Sequence, residues 1–192
     1  MVRIAIFVSG NGTNCENIIK YFEGSADVES TVVISNRADA YALVRASRHG
    51  IATEILSRDE INDPAFILPL LRRYNVDFIV LAGFLLMIPE FLINEYPKKI
   101  INLHPALLPK YGGKGMYGHY VHEAVKAAGD EKTGMTVHYV SPVCDGGDII
   151  AQFSCPLLPE DTPDDIAQKE NALEMKHFPS VIEEVIKKTF AL

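Results

Sequence analysis

Short apolar runs and helical patterns alternate along the first hundred residues, and this alternation limits the chain to few folds. The apolar runs are rich in β-branched and aromatic residues, which favour strands. Strands are predicted at residues 2–9, 31–35, 51–56, 76–82 and 100–104. Helices are predicted between them at 15–22, 39–49, 64–74 and 90–95. Strands that alternate with helices at this spacing form a parallel sheet with crossover helices.

The second half of the chain departs from that alternation. Residues 134–140 alternate like a strand and 148–156 follow a glycine-rich turn, so we expect an antiparallel pair. A helix is predicted at 118–128, and a longer one after Thr162, with Pro163 at its first position, extending to about Lys188. Pro179 predicts a break in that last helix. The predicted fold class is α/β: a Rossmann-like, open, mostly parallel sheet with flanking helices and an antiparallel C-terminal strand pair.

Length, charge and cysteine usage narrow the classes of function. A chain of 192 residues that is 48% apolar buries a substantial core, and we expect one domain over residues 1–192. The net charge of −7 disfavours a nucleic-acid surface, which needs a basic field. Three cysteines without CxxC spacing do not make a disulfide framework, and no apolar run suits a membrane span or a signal peptide. We expect a cytoplasmic monomer or weak homodimer with no nucleic-acid or membrane partner.

The turn after the first predicted strand has the composition of a phosphate cradle. It runs S-G-N-G-T-N at residues 9–14. Glycines let backbone N–H groups approach phosphate oxygens, the next helix contributes its positive end, and Thr13 and Asn14 add polar donors. The motif is neither G-x-G-x-x-G nor a Walker loop. A tight Asn-Gly turn with a helix N-cap explains the same residues equally well.

The strand at 100–104 ends by presenting an amide and an imidazole, Asn102 and His104. Residues two apart on a strand lie on the same side, so both side chains should point to one place. Pro105 ends the strand, and a loop rich in proline and glycine follows. Either residue alone is explained by a polar strand end. The pair with its flanks favours an active site, which open α/β sheets build at strand ends.

The connection at 83–89, G-F-L-L-M-I-P, is unusually apolar. Loops normally face water, so these residues favour the wall of a pocket for a flat hydrophobic ligand. A buried helix start ended by Pro89 explains the pattern as well. Elsewhere, His119, His122 and His138 lack the ligand spacing of a zinc site, and no metal is predicted.

A turn at 141–148, S-P-V-C-D-G-G-D, adds a carboxylate to the candidate site. Asp145 before two glycines is first of all a turn signal, but a flexible backbone also lets its carboxylate reach an imidazole. A negative charge beside a histidine favours the protonated ring. Together, Asn102, His104 and Asp145 suit the stabilisation of an oxyanion and the movement of one proton, as acyl transfer to an amine requires.

Five motifs together resemble the folate-dependent formyltransferases, and among them the phosphoribosylglycinamide formyltransferases of purine biosynthesis. They are S-G-N-G-T-N at 9–14, S-N-R-A-D-A at 35–40, V-L-A-G-F at 80–84, N-L-H-P-A-L-L-P at 102–109 and D-G-G at 145–147. The likeness extends over essentially the whole chain. It implies transfer of the formyl group of 10-formyltetrahydrofolate, the co-substrate, to the amine of glycinamide ribonucleotide, without a metal.

The resemblance also implies roles for individual residues. Asn102 would bind the formyl oxygen, and His104 would donate a proton to the oxyanion and the leaving nitrogen. Asp145 would raise the pKa of His104 and help to move the proton of the amine, directly or through water. The implied ribonucleotide contacts are Gly12, Thr13 and Asn14 at the phosphate and Glu174 at the ribose. The implied folate contacts are Arg58, Leu85, Leu86, Met87, Ile88, Asn102, Ser141, Pro142, Val143, Cys144 and Asp145.

Two departures and two rival functions accompany this resemblance. Leu85-Leu86 stands where many members have Met-Arg, and the glycine-rich loop between Tyr111 and Val125 is longer than in many relatives. Methionyl-tRNA formyltransferase and formyltetrahydrofolate hydrolase share motifs but usually carry a further domain, which we do not expect here. A silent nucleotide- or folate-binding protein is disfavoured because the amide, imidazole and carboxylate are all present.

Overall fold

A computed structural model describes all residues from 1 to 192. The strands are β1 (Val2–Val8), β2 (Val28–Ser35), β3 (Ala52–Ile55), β4 (Phe78–Leu81), β5 (Ile100–His104), β6 (Lys132–Tyr139) and β7 (Ile149–Pro156). The helices are α1 (Thr13–Phe22), α2 (Tyr41–Arg48), α3 (Arg58–Asn62), α4 (Pro64–Arg73), α5 (Glu90–Glu95), α6 (His119–Ala128) and α7 (Pro163–Phe190).

The seven strands form one sheet in the order β3-β2-β1-β4-β5-β6-β7. The first five strands pair in parallel, whereas β6 and β7 join as antiparallel neighbours. This arrangement confirms the predicted fold class. After β3 the chain returns to the opposite side of β1, so the connections from β1 and β4 leave the sheet in opposite directions. Open α/β sheets place their ligand crevice at such a switch point.

Helices cover both faces of the sheet, and β1 shows how one strand serves two cores. Ile4 and Ile6 pack with α1, α2 and α7, whereas Ala5 and Phe7 pack with α3, α4 and α5. Alternate residues of a strand face opposite sides, so a strand buried on both faces is apolar throughout. Each fully buried isoleucine or phenylalanine stabilises the fold by about 1.5–3 kcal/mol.

The predicted break in the last helix is wrong, because α7 runs without interruption through Pro179. Proline has no N–H and leaves the carbonyl four residues earlier without its helical partner. That carbonyl belongs to Met175, and it accepts a hydrogen bond from Asn17 Nδ2 of α1 at 2.8 Å. Packing of Phe178 and Ile182 against the sheet keeps the two halves of the helix aligned. Neither α7 nor any other helix is long and apolar enough to cross a membrane.

Two smaller differences have local causes. The short helix α3 was not predicted, although a capping box marks its start: Ser57 Oγ accepts from the Glu60 N–H, and the Glu60 carboxylate accepts from the Ser57 N–H. Strand β2 begins three residues earlier than predicted, because it pairs with β1 from Val28 onward. Non-local pairing therefore extends a strand beyond its apolar run.

Candidate active site

A cavity of about 870 Å³ opens at the carboxyl ends of β1, β4 and β5. Predicted site residues that line it are Gly12, Thr13, Asn14, Leu85, Leu86, Met87, Ile88, Asn102, His104, Ser141, Val143, Cys144, Asp145 and Glu174. Arg58 and Pro142 do not line it: Arg58 is exposed at the start of α3, and Pro142 is exposed within the 141–148 turn. A second groove of about 1020 Å³, beside the β6–β7 hairpin, contains none of these residues.

The glycine-rich loop after β1 is held in shape by helix α2. Gly12 has a φ of 77°, and a Cβ there would lie 2.4 Å from the Cβ of Ala42, so only glycine fits. The Ala42 N–H donates to the Gly10 carbonyl at 3.1 Å, and Arg45 Nε donates to the Asn11 carbonyl at 2.9 Å. The loop is therefore fixed before any ligand arrives.

The N-terminus of α1 has the features of an anion site. The N–H groups of residues 13–15 donate to no protein acceptor, and no side chain caps the helix. Unpaired first-turn N–H groups and the positive end of the helix dipole favour a phosphate or carboxylate. The absence of a side-chain cap favours the phosphate cradle over the alternative of a capped Asn-Gly turn.

The apolar connection after β4 forms one wall of the cavity. Ser9 Oγ accepts from the Leu85 N–H at 2.9 Å and donates to Asn36 Oδ1 at 2.5 Å, which ties this wall to the end of β1. The side chains of Leu85 and Met87 are half exposed, at 53% and 50%. Residues 83–89 form no helix between β4 and α5, so the chain does not adopt the alternative of a buried helix start. Exposed apolar side chains on a cavity wall suit a flat hydrophobic ligand.

Asn102, His104 and Asp145 come together in the middle of the cavity. His104 is buried, with Nδ1 3.5 Å from Asp145 Oδ2 and Nε2 2.8 Å from the carbonyl oxygen of Tyr111. Because a carbonyl only accepts, the His104 Nε2–H donates to Tyr111. This leaves Nδ1 as the nitrogen that can exchange a proton with the reacting atoms or with Asp145.

The loop around Asp145 is built to present its carboxylate. Asp145 has a φ of 52°, and its Oδ2 accepts from the Gly113 N–H at 2.9 Å. Burial raises the pKa of Asp145, but contact with His138, the Gly113 N–H and the charge of His104 outweigh burial and bring that pKa below its usual range. The group is therefore a carboxylate at neutral pH.

Burial lowers the pKa of His104, and this effect exceeds those that oppose it. Asp145 raises that pKa, as predicted, and so does the Tyr111 carbonyl, but the net direction is downward. The predicted effect of Asp145 is present, but burial, which was not considered, is larger. Desolvation disfavours a charged imidazole, and one carboxylate at 3.5 Å does not offset it. At neutral pH the imidazole is unprotonated and can first accept a proton.

His138 belongs to this cluster and was missed as a site residue. It lies opposite Asn102 in the antiparallel β5–β6 pairing. Its Nδ1 lies 2.9 Å from the Tyr139 carbonyl and its Nε2 3.1 Å from Asn102 Nδ2. An Nδ1–H donated to that carbonyl leaves Nε2 to accept from the Asn102 amide, which fixes how Asn102 faces the cavity. The alternating pattern of residues 134–140 indicates on which face of the strand His138 lies. It does not indicate the register that places His138 opposite Asn102.

Further polar residues line the cavity without having been predicted as site residues, among them Lys114, His122 and Glu170. Lys114 is the only lysine or arginine among the lining residues. His122 and Glu170 are buried at the end of the cavity near α7. His119 lies on the exposed side of α6, where it contacts Glu123. The three histidines considered for zinc thus lie in three different environments.

The site therefore joins three parts: a helix N-terminus suited to an anion, a buried Asn–His–Asp group, and an apolar wall. These features on a Rossmann-like sheet define an enzyme that transfers a group between small molecules. The family model for formyl transferases matches residues 2–182, and the chain belongs to that family.

Named relatives agree with this membership. The chain is 37% identical over 188 residues to phosphoribosylglycinamide formyltransferase of Haemophilus influenzae, covering 95% of this chain and 86% of that protein. It is 36% identical over 195 residues to the chloroplastic enzyme of the same name from Arabidopsis thaliana, covering 96% of this chain and 67% of that protein. The crystal structure of phosphoribosylglycinamide formyltransferase from Anaplasma phagocytophilum superposes with a TM-score of 0.88 at 35% identity, covering 97% of this chain and 88% of that one.

Proposed function

We propose that the protein transfers the formyl group of 10-formyltetrahydrofolate to the amine of glycinamide ribonucleotide. The products are formylglycinamide ribonucleotide and tetrahydrofolate, in de novo purine (IMP) biosynthesis. The observation that carries this proposal is the buried Asn102–His104–Asp145 group between the anion-binding helix end and the apolar wall. The family and the named relatives support the same reaction.

The three central residues divide the chemistry of one acyl transfer. The amine attacks the formyl carbon, and negative charge develops on the formyl oxygen, where the Asn102 amide donates a hydrogen bond. The attacking amine gives up a proton to neutral His104 Nδ1, directly or by way of the Asp145 carboxylate. His104 Nδ1 then passes that proton to the departing folate nitrogen as the formyl C=O bond re-forms and the bond from carbon to that nitrogen breaks. The His138 contact keeps the Asn102 amide turned for its role.

The substrates would occupy opposite ends of the cavity. The ribonucleotide phosphate is proposed to bind Gly12, Thr13 and Asn14, with the ribose at Glu174. The folate would lie along Leu85, Leu86, Met87 and Ile88, beneath the segment at 141–145. Arg58 lies outside the cavity and is proposed to meet a part of the folate that extends beyond it.

We propose that residues 1–192 act as one domain, as a monomer or weak homodimer in the cytoplasm. One continuous seven-stranded sheet supports a single domain. Three free cysteines suit a reducing compartment.

A panel of acceptors tests the proposed reaction. The protein is incubated with 10-formyltetrahydrofolate and glycinamide ribonucleotide, aminoacyl-tRNA or water alone, and tetrahydrofolate formation is followed. We expect turnover that depends on glycinamide ribonucleotide. Equal turnover in water would indicate a hydrolase, and formylated aminoacyl-tRNA would indicate the sister transferase.

His104→Ala is the matching variant for this panel. We expect a severe loss of formyl transfer with ribonucleotide binding largely intact, because His104 lies away from the anion-binding helix end. Unchanged turnover would remove His104 from the mechanism.

A further inference from the structure

Several residues that line the cavity have buried polar atoms without hydrogen-bond partners. Five buried side-chain nitrogen or oxygen atoms have no hydrogen-bond partner, and three of them belong to residues that line this cavity. These three are Asn14 Oδ1, His122 Nδ1 and Glu170 Oε1. Buried polar groups are nearly always paired, so a cluster of unpaired ones indicates a polar ligand that completes them.

Glu170 stands out because it is a carboxyl group with 3% of its surface exposed. It lies one helical turn before Glu174 on α7, so the two side chains are neighbours and the charge of Glu174 acts on Glu170. Glu174 Oε2 accepts from Asn14 Nδ2 at 2.7 Å and from Asn171 Nδ2 at 3.3 Å. Two neighbouring carboxyl groups repel each other when both are ionised, which favours a proton on one of them.

The surroundings decide which of the two holds that proton. Burial raises the pKa of Glu170 well above its usual range, and the charge of Glu174 raises it further. The other titratable group that acts on Glu170 is Cys155, which raises its pKa as well. Glu170 forms no ion pair with a lysine or arginine. Glu170 is therefore the protonated partner.

Protonation fixes what each oxygen can do. Glu170 Oε1 remains an acceptor: this atom is buried, has no hydrogen-bond partner and belongs to a residue that lines the cavity. Glu174 and Asn14 Oδ1 add further acceptors next to the N–H groups at the start of α1. A group of acceptors beside a phosphate cradle matches a phosphorylated sugar, whose hydroxyl groups are donors.

We propose that Glu170 is a sugar-binding residue that accepts a hydrogen bond from one ribose hydroxyl, beside Glu174, which accepts from another. This proposal rests on the proposed function, because the phosphorylated sugar is that of the ribonucleotide. It adds to the site a residue that no sequence motif indicated.

Binding of two simple probes tests the proposal without formyl transfer. Ribose 5-phosphate reports on the sugar contacts and the cradle, whereas inorganic phosphate reports on the cradle alone. Both are titrated by NMR into the wild-type protein, Glu170→Gln and Glu170→Leu. The exposed Glu184→Leu, on the same helix, is the matched control.

We expect Glu170→Leu to bind ribose 5-phosphate about fivefold to tenfold more weakly, the loss of one neutral hydrogen bond. Glu170→Gln should retain wild-type affinity, because an amide also donates and accepts. Inorganic phosphate should bind all variants equally. Infrared difference spectra at neutral pH should show a carboxylic-acid C=O band in wild type that Glu170→Gln lacks.

Other results would overturn the proposal. They are wild-type affinity for ribose 5-phosphate in Glu170→Leu, equal weakening in Glu170→Gln and Glu170→Leu, or no carboxylic-acid band in the wild type. Failure of the proposed function would give a different result from failure of this proposal. The protein would then transfer no formyl group but would still bind ribose 5-phosphate through Glu170.

Discussion

Asp145→Asn isolates the contribution of one charge to the proposed reaction. Asparagine has the same shape, tolerates the positive φ of 52° and still accepts from the Gly113 N–H. The loop should therefore keep its structure while the negative charge 3.5 Å from His104 Nδ1 disappears. What changes is the stability of the protonated imidazole.

The size of the effect follows from distance and burial. The side chains of His104 and Asp145 are 4% and 11% exposed, so solvent screens this pair little. Unit charges about 4 Å apart attract by about 4 kcal/mol at an effective dielectric constant of about 20. If the slow step passes through protonated His104, loss of this attraction lowers kcat about 1000-fold, since about 1.4 kcal/mol is a factor of ten.

The pH dependence of kcat should also change in a defined direction. His104 starts neutral and accepts the proton of the amine, so activity falls as pH drops through the pKa of that group. Removal of the Asp145 charge lowers this pKa further, so the acid-side decline in kcat moves to lower pH.

The assay is steady-state turnover from pH 5 to pH 9, followed by the absorbance change of the folate. Asp148→Asn is the control, since Asp148 is exposed and pairs only with Lys98. A kcat for Asp145→Asn within threefold of wild type, with an unshifted profile, would refute the reasoning.

Three other substitutions test separate parts of the structure. Gly12→Ala should abolish ribonucleotide binding in a calorimetric titration, because its Cβ would meet the Ala42 backbone at 2.6 Å; Gly10→Ala, with nothing within 4 Å, should bind normally. His138→Ala should lower kcat about tenfold with folate affinity unchanged, because the Asn102 amide loses the partner that orients it, whereas exposed His119→Ala should leave turnover unchanged. Glu170→Gln should gain stability over wild type as pH rises from 5 to 7 in urea denaturation. The raised pKa of Glu170 makes the wild type lose stability by about 1.4 kcal/mol per pH unit above the unfolded pKa, and a constant difference would contradict this.

Much of the candidate site was predictable because its signals are local. The placement of Asn102 and His104 on one side of β5 follows from the two-residue period of a strand. The cradle follows from glycines between a strand and a helix, and both lie at the same sheet edge because parallel strands end together. These inferences needed no knowledge of which distant segments meet.

Two local rules did not include the effect of tertiary contacts. Proline normally breaks a helix, but Asn17 from another helix satisfies the carbonyl that Pro179 frees. A carboxylate normally raises the pKa of a histidine, but burial of His104 under the loop that follows β5 outweighs Asp145. The cost of desolvation depends on what covers the ring, and this is set by the fold.

The sequence by itself determined the α/β class, the cradle and the polar end of β5. These features follow from apolar periodicity and from the backbone preferences of glycine and proline, which depend only on residues nearby in the chain. Only the tertiary structure decided that His138 faces Asn102 and that Glu170 and Glu174 of α7 meet Asn14 of α1. Those contacts join residues up to 160 positions apart. They depend on strand register and helix packing, which arise from the burial of the whole core and not from any single stretch of chain.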